Sequence, residues 1–148
     1  MYPHPNRLPR WLKPLLLGSG AALLLTGLRW LALHYRAGWA TPDTELPHAW
    51  EAPLMRLHGL AMLVFLLSLG ALTPVHVPRG WRERRSLRSG VALLLLNAAL
   101  IASGYTLYYF AGDGSRALIG LAHSAVGLLL LLVFALHWRG RYSQPPAP

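Results

Sequence analysis

Residues 117–137 read ALIGLAHSAVGLLLLLVFALH. The run contains no Asp, Glu, Lys or Arg, and its only titratable side chains are His123 and His137. A stretch of about 20 apolar residues is the length that crosses a ~30 Å hydrocarbon core as a helix rising 1.5 Å per residue. Three further runs share that length and character: Leu15–His34, Leu54–Pro74 and Ser89–Phe110. None shows the alternation of a membrane β-barrel, and a bilayer accepts only helices or closed barrels. The fold class expected is therefore all-α: an integral membrane four-helix bundle forming one domain over residues 1–148. The first run follows a basic N-terminus, but it is longer than the apolar core of a signal peptide, so a retained span is expected.

Composition agrees. Of 148 residues, 54% are hydrophobic and 13% charged, against about 25% charged in an ordinary soluble domain. There is no cysteine, which excludes disulfides, Cys-ligated zinc, iron–sulfur clusters, a thiol nucleophile and the covalent attachment of c-type haem. The formal net charge of +9 has a membrane explanation. Arg7, Arg10, Lys13, Arg79, Arg82, Arg84, Arg85, Arg88, Arg139 and Arg141 all fall on one side of four spans. Arg36, Arg56 and Arg116 fall on the other, with Asp43, Glu45, Glu51 and Asp113. The positive-inside rule then puts both termini in the cytoplasm. The basic excess reads as a topology signal and an attraction to anionic lipid headgroups, not as a nucleic-acid surface. Trp11, Trp81 and Trp138 mark one interface and Trp30, Trp39 and Trp50 the other. The Pro-rich ends, 1–9 and 143–148, are expected to be frayed tails. The outer loop Tyr35–Pro53 is a candidate docking surface.

The histidines carry the chemistry. His4 and His48 read as solvated. An ionisable residue in a span is costly and is a functional candidate, which applies to His58, His76, His123 and His137. Spans two and four run in the same direction, so His58 and His123 share an outer level and His76 and His137 an inner one. His58 and His76 are 18 residues apart, about five turns, and His123 and His137 are 14 apart, just under four turns. Each pair therefore lies on one helix face. Two such helices can hold two stacked porphyrins, each iron held by two neutral imidazoles. The rises differ, about 27 Å against about 21 Å; Pro74, if it ends the second helix early and folds His76 back, would reduce the mismatch. His34 lies on the wrong helix for this pairing and reads as interfacial.

Gly59 adjoins His58, Gly127 and Gly120 flank His123, and Gly70 precedes His76. A missing Cβ lets a flat ring approach the backbone, and it equally serves helix–helix contact. Arg29 and Arg56 are candidate partners for a haem propionate, with snorkelling as the alternative for Arg29. Asn97 is expected to make an interhelical hydrogen bond. Tyr108 and Tyr109 belong to an aromatic belt, with Tyr105 a candidate for a quinone or haem edge.

Leu57-His58-Gly59, Pro74-Val75-His76, the Gly104–Tyr109 run, His123 followed by Gly127, and His137 together resemble the small four-helix dihaem cytochromes b. That group includes the membrane subunits of formate dehydrogenases and nickel–iron hydrogenases and the ferric-reductase-like proteins. The resemblance covers about 56–141. A 14-residue His pair on one helix is frequent in the group; the 18-residue spacing in span two departs from it, and the first span has no histidine at its inner end. The resemblance implies two haem b groups, electron transfer across a membrane between a redox partner subunit and quinone, and no stand-alone enzymatic activity. The expected location is the cell membrane, a bacterial inner membrane, with several passes. The rivals are a haem-free membrane scaffold or assembly subunit, and a small metal-handling membrane protein using His58 and His123. The absence of Asp and Glu from every span counts against transport.

The charge distribution yields a first test. Reporter fusions at the C-terminus and near Thr44 are expected to report cytoplasmic and external positions respectively; an external C-terminus inverts both histidine levels.

Overall fold

The computed structural model describes residues 9–35, 49–83 and 86–140. The tails, most of the loop after Tyr35, with His48, and the pair Arg84 and Arg85 lie outside the described residues, as does His4. Among the described residues the structure is all-helical, with four helices: α1 (Leu12–His34), α2 (Glu51–Arg82), α3 (Leu87–Tyr109) and α4 (Asp113–Gly140). All four are long and apolar enough to cross a membrane. Each covers one predicted span, except that α3 stops at Tyr109, one residue short of the expected end, and α2 runs on past Pro74 to Arg82. The chain divides into two compact units, Met1–His76 and Val77–Pro148.

In the first unit α1 and α2 run antiparallel. His34 meets Glu51, Gly27 meets His58 and Gly20 meets Phe65, so each step back along α1 is matched by an equal step forward along α2. The buried residues of α1 are Leu12, Ser19, Thr26 and Leu33, one every seven residues. Those of α2 are Ala61 and Ser68, again seven apart. A seven-residue repeat keeps one seam facing the partner helix, and small side chains on it let the backbones approach. The hydroxyls buried there do not lack partners: Ser19 Oγ donates to the Leu15 carbonyl at 2.7 Å and Ser68 Oγ to that of Val64 at 2.8 Å.

Pro74 does not end α2. The helix continues through Pro74 and Pro78 to Arg82, so His76 stays on it and the 18-residue spacing keeps its full rise. Proline lacks an N–H and crowds the carbonyl four residues back, and at that position stands Gly70. An apolar surround with neighbouring hydroxyls tolerates such a break; Thr73 Oγ1 donates to the Leu69 carbonyl at 2.7 Å beside it.

In the second unit α3 and α4 pack against each other along their length. Ser86 meets Gly140, Gly90 meets His137, Leu100 meets Gly127 and Gly104 meets His123, which is antiparallel pairing in constant register. Ser86 precedes α3 with φ 51°, in the left-handed region, unusual for a residue other than glycine. The connection from α3 to α4 is short. Phe110 and Ala111 both donate their N–H to the Thr106 carbonyl. Arg116, from the first turn of α4, donates to the Leu107 carbonyl at 3.1 Å and the Ala111 carbonyl at 2.7 Å. A guanidinium thereby satisfies carbonyls that a helix C-terminus leaves without partners, and its charge opposes the negative end of the α3 dipole.

Outward-facing surfaces are apolar: Leu25, Leu67, Leu95 and Leu118 are each 66–72% exposed. Among the described residues the interhelical bond expected of Asn97 is not made. Its Nδ2 donates to the Leu93 carbonyl of its own helix at 2.8 Å, because the carbonyl four residues back is within reach without any neighbour.

Arg116→Ala is expected to destabilise the α3–α4 hairpin by about 1–2 kcal/mol. Thermal denaturation in detergent checks this, with Arg116→Lys recovering only part of the loss because a single ammonium does not reproduce the fork.

Candidate functional site

Three of the four candidate histidines sit in one repeated arrangement. His58 of α2 places Nδ1 2.9 Å from Thr26 Oγ1 of α1. His123 of α4 places Nδ1 2.8 Å from Ser103 Oγ of α3. His137 places Nδ1 2.8 Å from Ser89 Oγ, also of α3. All three rings are partly buried. His123 and His137 thus share the α4 face that meets α3, as their spacing predicted, and the two serines repeat the same 14-residue interval.

Each hydroxyl is followed by glycine, and the histidine ring lies over it. A Cβ at Gly27 would stand 3.4 Å from His58 Cε1, one at Gly104 3.5 Å from His123 Cε1, and one at Gly90 3.8 Å from His137 Cε1. The pairs Thr26-Gly27, Ser89-Gly90 and Ser103-Gly104 therefore repeat one arrangement three times: the hydroxyl meets the ring nitrogen, and the ring edge passes the following glycine at a distance where a Cβ would make an ordinary contact. The sequence reading missed Thr26, Gly27, Ser89, Gly90 and Ser103, and counted Gly104 only as the start of an aromatic run. A signal was present, since two Ser-Gly dipeptides 14 apart mirror two histidines 14 apart on an antiparallel neighbour.

The glycines singled out from sequence behave differently. An added Cβ at Gly59, Gly70 or Gly120 would meet nothing within 4 Å. Gly127 faces Leu100 Cδ2 at 3.9 Å, so it serves helix contact. His76 is exposed near the end of the first unit. Arg29 and Arg56 are exposed, and among the described residues neither enters an ion pair. His34 lies in a separate cluster. Its ring stacks on Trp30 with centroids 4.4 Å apart, meets Tyr35 edge-on at 5.0 Å, and its Nδ1 is 3.1 Å from Glu51 Oε2. Glu51 opens α2, where the positive end of the helix dipole favours a carboxylate. Tyr105, Tyr109 and Phe110 form an aromatic group at the end of α3, with Tyr105 4.6 Å and 5.8 Å from the other two rings.

Chemically, a histidine with one ring nitrogen held by a hydrogen bond is oriented as metal-ligating histidines are, the opposite nitrogen being the donor to the metal. His58, His123 and His137 fit a haem iron on that criterion. Among the described residues no three of His, Asp or Glu come together. No protein-family model, curated protein or solved structure matches the chain.

Space at the glycines generates a prediction. Gly104→Ala is expected to change stability by less than about 0.5 kcal/mol, since its Cβ makes an ordinary contact, whereas Gly104→Leu displaces the His123 ring at a cost of about 1–3 kcal/mol. Thermal denaturation of the two variants side by side measures the difference.

Proposed function

We propose that the chain is a membrane b-type cytochrome, the electron-transfer subunit of a membrane oxidoreductase, in which imidazoles of α2 and α4 hold two haem b groups. The observation that carries this reading is the threefold hydroxyl–glycine seat under His58, His123 and His137. The assignment of His58 with His123, and of His76 with His137, follows from their levels in the sequence. It places a multi-pass protein in a bacterial inner membrane with both termini cytoplasmic, in contact with lipid, a redox partner subunit and quinone. Haem, when bound, supplies the one-electron chemistry. The chain's own residues orient the ligands, surround them with apolar side chains and keep acidic groups out of the spans. Arg29 and Arg56 remain the cations offered to propionates, and Gly59 the position where nothing within 4 Å hinders a ring beside His58.

The rival reading is a haem-free scaffold subunit, supported by the same hydrogen bonds, because histidine–serine pairs also tie helices together. An oxidised-minus-reduced optical spectrum of purified protein, with haem quantified per chain, separates the two. Two haems per chain are expected. His123→Ala is expected to remove one and leave the other, and His76→Ala to remove or loosen the second. Retention of both haems in all four single histidine variants overturns the ligand assignment, and a colourless protein from haem-replete cells selects the scaffold.

A further inference from the structure

The three hydroxyls also bear on which ring nitrogen carries the proton. A hydroxyl has one proton to donate and two lone pairs that accept. Ser103 Oγ donates its proton to its own helix, 2.7 Å from the Ala99 carbonyl and 3.2 Å from that of Leu100. Thr26 Oγ1 does the same, 2.7 Å from the Ala22 carbonyl and 3.2 Å from that of Leu23. Ser89 Oγ donates to the Ser86 carbonyl at 3.1 Å. Where that proton goes to the helix carbonyl, the hydroxyl accepts from the ring, and Nδ1 of the neutral imidazole is the donor. The lone pair then resides on Nε2.

We propose that Thr26, Ser103 and Ser89 are positioning residues that hold His58, His123 and His137 as the Nδ1–H tautomer, presenting Nε2 as the iron-binding nitrogen. The role toward iron rests on the cytochrome reading; the tautomer does not. The chain of donation runs from ring to hydroxyl to helix carbonyl, and a hydrogen bond accepted from Nδ1–H increases the basicity of Nε2 toward a metal. The longer Ser89–Ser86 bond makes His137 the least firmly set of the three. Serine and threonine are interchangeable here, because each offers a hydroxyl that reaches the carbonyl four residues back. That equivalence accounts for threonine in α1 where α3 uses serine.

The test has two arms on the full-length chain in detergent. In the first, protein labelled with ¹⁵N-histidine and prepared without haem is read by long-range proton–nitrogen correlation, with the His123 signal assigned through His123→Gln. His123 is expected as the Nδ1–H form in the wild type and in Ser103→Thr, and as the Nε2–H form or a mixture in Ser103→Ala. The His58 signal in that variant should stay unchanged, which also reports an intact fold. An Nε2–H signal from His123 in the wild type, or an unaltered Nδ1–H signal in Ser103→Ala, overturns the proposal. In the second arm, haem is titrated into the same proteins. Ser103→Ala is expected to bind about 10- to 100-fold more weakly at one site, with Ser103→Thr restoring the affinity. Equal haem affinity in all three overturns the role toward iron. No haem binding by the wild type overturns the cytochrome reading itself, while the nitrogen spectrum still decides the tautomer.

Discussion

A polar group surrounded by hydrocarbon must find its partner within the protein. That constraint organises this chain. It makes the apolar runs helices, because only a helix satisfies every backbone N–H and C=O within one segment. It turns Ser19, Thr26, Ser68, Ser89, Ser103 and Asn97 back onto carbonyls of their own turns. It brings Arg116 to the open carbonyls at the end of α3. Among the described residues no buried side-chain nitrogen or oxygen lacks a partner.

The same constraint shapes the candidate site. A histidine in an apolar helix needs an acceptor or donor at a fixed place, and the hydroxyl–glycine pairs provide one on the preceding helix of each hairpin. A hydroxyl that has already given its proton to a carbonyl can offer only a lone pair, so orientation and protonation of the ring are settled together. Each of the two units uses the device in the same sense, with the hydroxyl on the first helix of the hairpin and the histidine on the second. The arrangement is economical in side-chain entropy, since a short hydroxyl loses little freedom when fixed by its own helix.

His34 follows a different solution to the same problem. Near a helix end it takes a carboxylate and an aromatic face in place of a hydroxyl. Its polar partner comes from the first turn of α2, where the helix dipole already favours Glu51. The contrast separates His34, which meets a carboxylate, from His58, His123 and His137, which meet hydroxyls.

The sequence by itself determined the element types, their number and their approximate bounds, because length and unbroken hydropathy leave a bilayer-sized helix as the only arrangement. It also determined that His123 and His137 share a face, since 14 residues is close to a whole number of turns. Only the tertiary structure decided what those faces meet. Periodicity places a side chain on a helix face but does not name the residue opposite, which depends on the register of two antiparallel helices. So Gly59, adjoining His58, and Gly120 and Gly127, three and four residues from His123, were less relevant to the rings than Gly27, Gly90 and Gly104, nearest in space. Asn97 looked interhelical because a mid-span amide needs a partner, and its own i−4 carbonyl met that need first. Pro74 was a position where the second helix could have ended and folded His76 back, and only the structure showed α2 running on through it to Arg82.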